Sequence, residues 1–94
     1  MLEKQIETTV KEYARSKGWL AYKWTSPGHM HVPDGLFISP TGRVICMEFK
    51  QTGKKATPGQ LREIDRLNQH YVYALVVDSV QMGKELIDAY SGCV

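Results

Sequence analysis

The chain has 94 residues, 43% hydrophobic and 23% charged, a globular rather than a disordered composition with room for one modest core over residues 1–94. No apolar run approaches the ~20 residues that cross a bilayer and no signal peptide opens the chain, which argues against a membrane-spanning helix and a secreted precursor. The net charge of +2 is uneven: residues 1–66 hold eleven Lys/Arg against seven Asp/Glu, and residues 67–94 one Lys against three acids, so the basic excess lies where a polyanion-facing surface would need it, unless it is chance variation.

Leu2, Ile6, Val10, Tyr13 and Ala14 recur at helical spacing and predict a helix over 2–17, with Glu3, Lys4, Lys11, Glu12 and Arg15 on its solvated side and Gly18 at its end. Trp19–Trp24 alternates Leu20, Tyr22 and Trp24 against Ala21 and Lys23, a strand pattern, and Thr25–Gly28 is a loop. Gly35–Ser39 and Arg43–Lys50 are apolar runs joined by Pro40-Thr41-Gly42, which makes them an antiparallel hairpin. After a polar, basic loop, Thr57-Pro58-Gly59-Gln60 predicts a helix start: Thr at the N-cap, Pro at N1 and Gln at N3 of a capping box, the helix running to about Gln69. Tyr71–Val77 reads as a strand buried on both faces. Asp78 or Ser79 caps a last helix that buries Met82, Leu86, Ile87 and Tyr90. The order α-β-β-β-α-β-α predicts an α/β (α+β) fold, a mixed sheet flanked by helices.

The chemistry concentrates in Val32-Pro33-Asp34-Gly35 and, fourteen residues on, Glu48-Phe49-Lys50. Strand alternation puts Glu48 and Lys50 on one face with Val44 and Cys46, and Ile45, Met47 and Phe49 on the other. A hairpin centred near Thr41 pairs residues whose numbers sum to about 82, which sets Asp34 opposite Glu48. Two carboxylates converging beside an ammonium make an oxygen-donor site for a hard divalent cation. The competing reading is a cross-strand salt-bridge cluster on a solvated face. Against it, Val44 and Cys46 imply partial burial, where unpartnered acids are costly.

Pro33-Asp34 followed by Glu48-Phe49-Lys50 resembles the PD-(D/E)xK nuclease motif, set in that superfamily's α-β-β-β-α-β order. More narrowly, Ser26-Pro27-Gly28, Val32-Pro33-Asp34, Val44–Lys50, Gly53 and Thr57-Pro58-Gly59-Gln60 resemble the VRR-NUC family, which includes small stand-alone phage and bacterial proteins and the catalytic domain of the Fanconi-associated nuclease. The resemblance covers essentially the whole chain. It implies a restriction-endonuclease-like core with a C-terminal helix and a metal-dependent deoxyribonuclease that hydrolyses phosphodiester bonds with Mg²⁺ or Mn²⁺. Asp34 and Glu48 resemble the metal-binding carboxylates, the carbonyl of Phe49 a further ligand, and Lys50 the motif lysine that orients the attacking water and steadies the phosphate. Glu7 resembles the acid of the first helix, reaching the metal through water; its other reading is a solvent-facing glutamate. Gln60 resembles a glutamine near the active site but is also the N3 residue of the cap, two roles that compete for one side chain.

Family members usually carry arginines before the Pro-Asp, where this chain has His29-Met30-His31. These histidines are DNA-contact candidates, ligands of a second metal, or ordinary loop residues. Lys23, Lys54, Lys55 and Arg62 would flank the site and contact the DNA backbone. With no recognition domain, the resemblance implies a substrate chosen by shape, duplex or branched, such as a Holliday junction. Two opposed cuts there call for a homodimer, to which the last helix and Cys93-Val94 offer apolar surface. Cys46 and Cys93, too far apart for a Cys-x-x-Cys site, suit a reducing compartment, the cytoplasm of a bacterial or phage-infected cell. The competing readings are a nucleic-acid-binding module of this fold without catalysis, and a structural α/β domain.

Overall fold

The computed structural model describes residues 1–91; Cys93 and Val94, expected to offer apolar surface, lie outside the described residues. The elements follow the predicted order: α1 (Glu3–Ser16), β1 (Leu20–Lys23), β2 (Gly35–Ile38), β3 (Val44–Phe49), α2 (Pro58–Gln69), β4 (Tyr73–Val77) and α3 (Val80–Ser91). The strands form one mixed sheet in the order β1-β2-β3-β4. The first three are antiparallel neighbours, while β3 and β4 are parallel and joined through α2, since parallel neighbours require a crossover. In the hairpin Ile38 faces Val44 and Gly35 faces Met47, the register expected for a turn at Thr41. Ser39 Oγ closes that turn by accepting the Arg43 N–H at 2.9 Å.

Alternation along β3 divides the interior. Ile45, Met47 and Phe49 meet Ile6, Val10, Phe37, Val77 and Ile87 beneath α1 and α3. Cys46 turns the other way, to Ala74 and Ile64 beneath α2. The two helices of the first layer meet at Gly83, where a Cβ would stand 2.5 Å from Val10 Cγ2, so only glycine permits their approach.

Several local expectations are corrected. Leu2 is the N-cap of α1 and 58% exposed rather than a core residue. Lys11, placed on the solvated side by its charge, is buried, with Nζ 2.7 Å from Glu7 Oε2; the pairing compensates a charge that burial alone would penalise. In β1 the alternation is inverted: Ala21 enters the α1/α3 core, and Leu20 and Tyr22 stay exposed, because α2 lies over the β3–β4 half of the sheet. β4 begins at Tyr73, not Tyr71, and as an edge strand it buries Ala74 and Val77 while Tyr73 stays exposed. Tyr71 belongs to the end of α2. Its N–H bonds the Asn68 carbonyl and the Val72 N–H bonds the Leu67 carbonyl, a Schellman arrangement in which Tyr71 takes the left-handed position at φ +65°. Of the two candidate caps for α3 the structure uses Ser79, whose Oγ accepts the Met82 N–H at 3.1 Å. Gly83 and Ile87 are its fully buried residues, with Met82, Leu86 and Tyr90 half-buried. Asp78 instead ties the 50–57 loop to β4: its carboxylate accepts the Gly53 N–H at 3.3 Å and its carbonyl the Thr52 hydroxyl at 2.9 Å.

Candidate active site

Gly35 and Met47 form the last pair of the β2–β3 ladder, and Asp34 and Glu48 come next on their strands. There the Asp34 side chain replaces the ladder, Oδ2 accepting the Phe49 N–H at 3.2 Å. The Asp34 carbonyl accepts the Trp24 N–H at 2.8 Å, which fixes its backbone from the β1 side. The Lys50 N–H bonds the Val77 carbonyl on the β4 side. Successive strand residues direct their backbone groups to opposite edges, so the Phe49 carbonyl lies on the Asp34 side.

Glu48 lies on the Cys46 face below the first turn of α2 and is 3% exposed. Gln60 Nε2 donates to its Oε2 at 3.3 Å, and Lys50 Nζ stands 4.0 Å from the same oxygen. Burial first, then the neighbouring charge of Asp34, push the Glu48 carboxyl up to about 8; Lys50 pulls the other way, and Glu3 adds a smaller push. The Glu48 carboxyl is therefore harder to ionise than an ordinary glutamate. The donor set fits a hard divalent cation such as Mg²⁺ or Mn²⁺, because two carboxylates stand side by side, with the Phe49 carbonyl on the same strand edge as Asp34, and positive charge there would relieve the burial of Glu48.

Gln60 resolves a conflict posed by the sequence. Its Oε1 accepts the Thr57 N–H at 2.9 Å, completing the capping box, while its Nε2 reaches Glu48. One carboxamide has an acceptor end and a donor end, so cap and site share the side chain. Glu7 is less simply placed. It is buried rather than solvent-facing, and its carboxylate is held by Lys11. The α1 acid whose charge Glu48 feels is Glu3, one turn earlier on the same helix face.

The candidate DNA-contact residues fall into three places. His29 Nε2 bonds Glu63 Oε1 at 2.8 Å, and His31, at φ +70°, lays its ring against Gly59, where a Cβ would come 2.7 Å from Nε2. With Arg62 they line a cleft of about 430 Å³ beside α2, together with Arg66, a lining residue that sequence reasoning missed although it follows Arg62 by one turn. Lys54 and Lys55 line a separate cavity of about 360 Å³ with Asp78 and Met82. Lys23 is exposed at the end of β1, opposite Gly35. Among the described residues no group of three or more His, Cys, Asp and Glu side chains gathers, so neither the His-x-His pair nor the set of Glu7, Asp34 and Glu48 forms such a cluster.

No family model matches the chain. A phage protein described as "Putative nuclease p44", from Acyrthosiphon pisum secondary endosymbiont phage 1, is 40% identical over 84 residues, which cover 89% of this chain and 90% of that protein. A solved structure described as "VRR_NUC domain" superposes with a TM-score of 0.85 at 31% identity, covering 94% of this chain and 96% of its own. A second, "VRR_NUC domain protein", shares the fold with a TM-score of 0.76 at 18% identity, covering 96% and 88%. Identity of this extent along nearly full lengths, together with the restriction-endonuclease-like order of strands and helices that sets Asp34 beside Glu48, means that the chain belongs to the VRR-NUC family.

Proposed function

We propose that the chain is a Mg²⁺- or Mn²⁺-dependent DNA endonuclease that hydrolyses phosphodiester bonds in branched DNA such as a Holliday junction, working as a homodimer. The observation that carries this reading is the meeting of Asp34 and Glu48 at the end of the β2–β3 ladder with Lys50 4.0 Å from Glu48. Asp34, Glu48 and the Phe49 carbonyl would hold the cation, and Glu7, steadied by Lys11, would reach it only through water. When bound, the cation supplies Lewis-acidic positive charge at the phosphate. Lys50 places a compact ammonium beside it, able to hold the attacking water or a phosphate oxygen. Gln60 fixes one oxygen of Glu48, so that the carboxylate presents itself in one orientation. Lys23, Lys54, Lys55, Arg62, His29 and His31 would meet the DNA backbone from the three places described above.

The test uses labelled single-stranded, duplex, flap and four-way-junction DNA, each with Mg²⁺, Mn²⁺ or EDTA. Paired cuts in the junction that need metal are expected, abolished in Asp34→Asn and Lys50→Ala while both variants stay folded. Near-normal cleavage by either variant overturns the site. Binding without any cleavage would make the chain a nucleic-acid-binding module instead. Light scattering should give the mass of a dimer, and a monomer at working concentration would remove the two-site arrangement.

A further inference from the structure

At the end of β3 away from Glu48, Arg43, Val44, Ile45, Tyr71, Tyr73 and Tyr90 line a cavity of about 310 Å³, within the size of ligand clefts. Tyr71 is 98% exposed in a left-handed backbone position that glycine fills without strain. Burial therefore does not explain an aromatic ring there. Tyr73 and Tyr90 are set edge to face with centroids 6.0 Å apart, and the Arg43 guanidinium lies 5.3 Å over the Tyr90 ring. A cation is thus held in place beside exposed aromatic surface, and no Asp or Glu is among the described residues that line the cavity.

We propose that this cavity binds one unpaired nucleotide of a single-stranded nucleic-acid segment, its base stacked on Tyr71 and Tyr73 and its phosphate on Arg43. Stacking tolerates any base, because every base has a π-face, and Arg43 supplies the complementary charge. Val44 and Glu48 are four strand residues apart, roughly 13 Å, so the held nucleotide lies a few nucleotides from the carboxylates. The inference rests on the proposed nuclease function for its choice of ligand, and it adds that branched substrates exposing an unpaired segment near the cut are held more tightly.

Fluorescence anisotropy of a labelled oligothymidylate, with EDTA present, tests it. Tyr71→Gly is expected to weaken binding about five- to a hundredfold, while its melting temperature stays level or rises, glycine being preferred at that position. Tyr71→Phe should keep the affinity, and Arg43→Gln should weaken it and flatten its salt dependence. Wild-type affinity in Tyr71→Gly, or no binding by the unmodified chain, overturns the proposal. So does a change of molecular mass in Tyr71→Gly, which would make the patch a contact between copies. Cleavage of four-way-junction and flap DNA with Mn²⁺ is measured in parallel. Cleavage with unchanged oligonucleotide binding in Tyr71→Gly overturns the pocket alone, whereas absence of cleavage in the unmodified chain overturns the nuclease function and leaves the pocket to the binding data.

Discussion

A carboxyl that is 3% exposed beside a second carboxyl resists ionisation, and that resistance has a sign in stability. Folded Glu48 keeps its proton up to about pH 8, whereas in the unfolded chain it is released near the ordinary 4.5. The folded state therefore binds more protons between those values, and stability declines as pH rises. The contribution of Glu48 is full below about 4.5 and lost as pH climbs through about 8. Glu48→Gln keeps the shape without the charge. In EDTA it should melt close to wild type at pH 5 and above it at pH 8.5, by at least roughly 4 °C, the shift that ~1 kcal/mol gives in a domain this size. Parallel melting curves across that range would clear the carboxyl of the effect. The pairing behind it was legible beforehand, because a three-residue hairpin fixes its own register and strand alternation then decides the faces. The bond from Gln60 to Glu48 was not. It depends on where the crossover sets the first turn of α2 over the sheet, which no local pattern encodes.

Among the elements, α1 and α3 show how one small residue sets a layer. Glycine inside a helix costs about 1 kcal/mol relative to alanine, so Gly83 is retained against its own propensity. A Cβ there would fall 2.5 Å from Val10 Cγ2, deep between the two helices. Gly83→Ala should cost about 1–3 kcal/mol by overpacking, read as a lower urea midpoint. Val10→Ala opens room on the other side, so the double variant should lose less than the two single losses together. Strict additivity would mean that the helices part without regard to this contact. Helix and strand order followed from apolar periodicity, yet the periodicity misplaced Leu20, Tyr22 and Tyr71. It records which residues alternate. It does not record that β1 and β4 are edges or that α2 covers only half of its face. Lys11 was misplaced for a related reason, since its charge hid a partner four residues back that makes burial tolerable.

At the scale of the molecule, 34 × 31 × 21 Å, the long axis is about as long as one helical turn of DNA. The site lies where several elements end together. The Met1 carbonyl accepts the Thr52 N–H at 3.2 Å, and Asp78 holds Gly53, so the chain start, the loop after β3 and the end of β4 meet near the carboxylates. A cation bound by Asp34 and Glu48 should therefore stabilise the whole fold. At a hundred times its Kd it would contribute about 2.7 kcal/mol, on the order of 10 °C in melting temperature. Calorimetry with Mn²⁺ should show this rise, reversed by EDTA and lost in Asp34→Asn; an equal rise in that variant would put the ion elsewhere. To act as a ligand Glu48 must first give up its proton, so the rise should grow from pH 6 towards pH 8. The same ionisation that lowers the stability of the bare protein should thus raise its affinity for a bound cation. With Mn²⁺ present the decline in stability with pH should flatten, and with EDTA it should return.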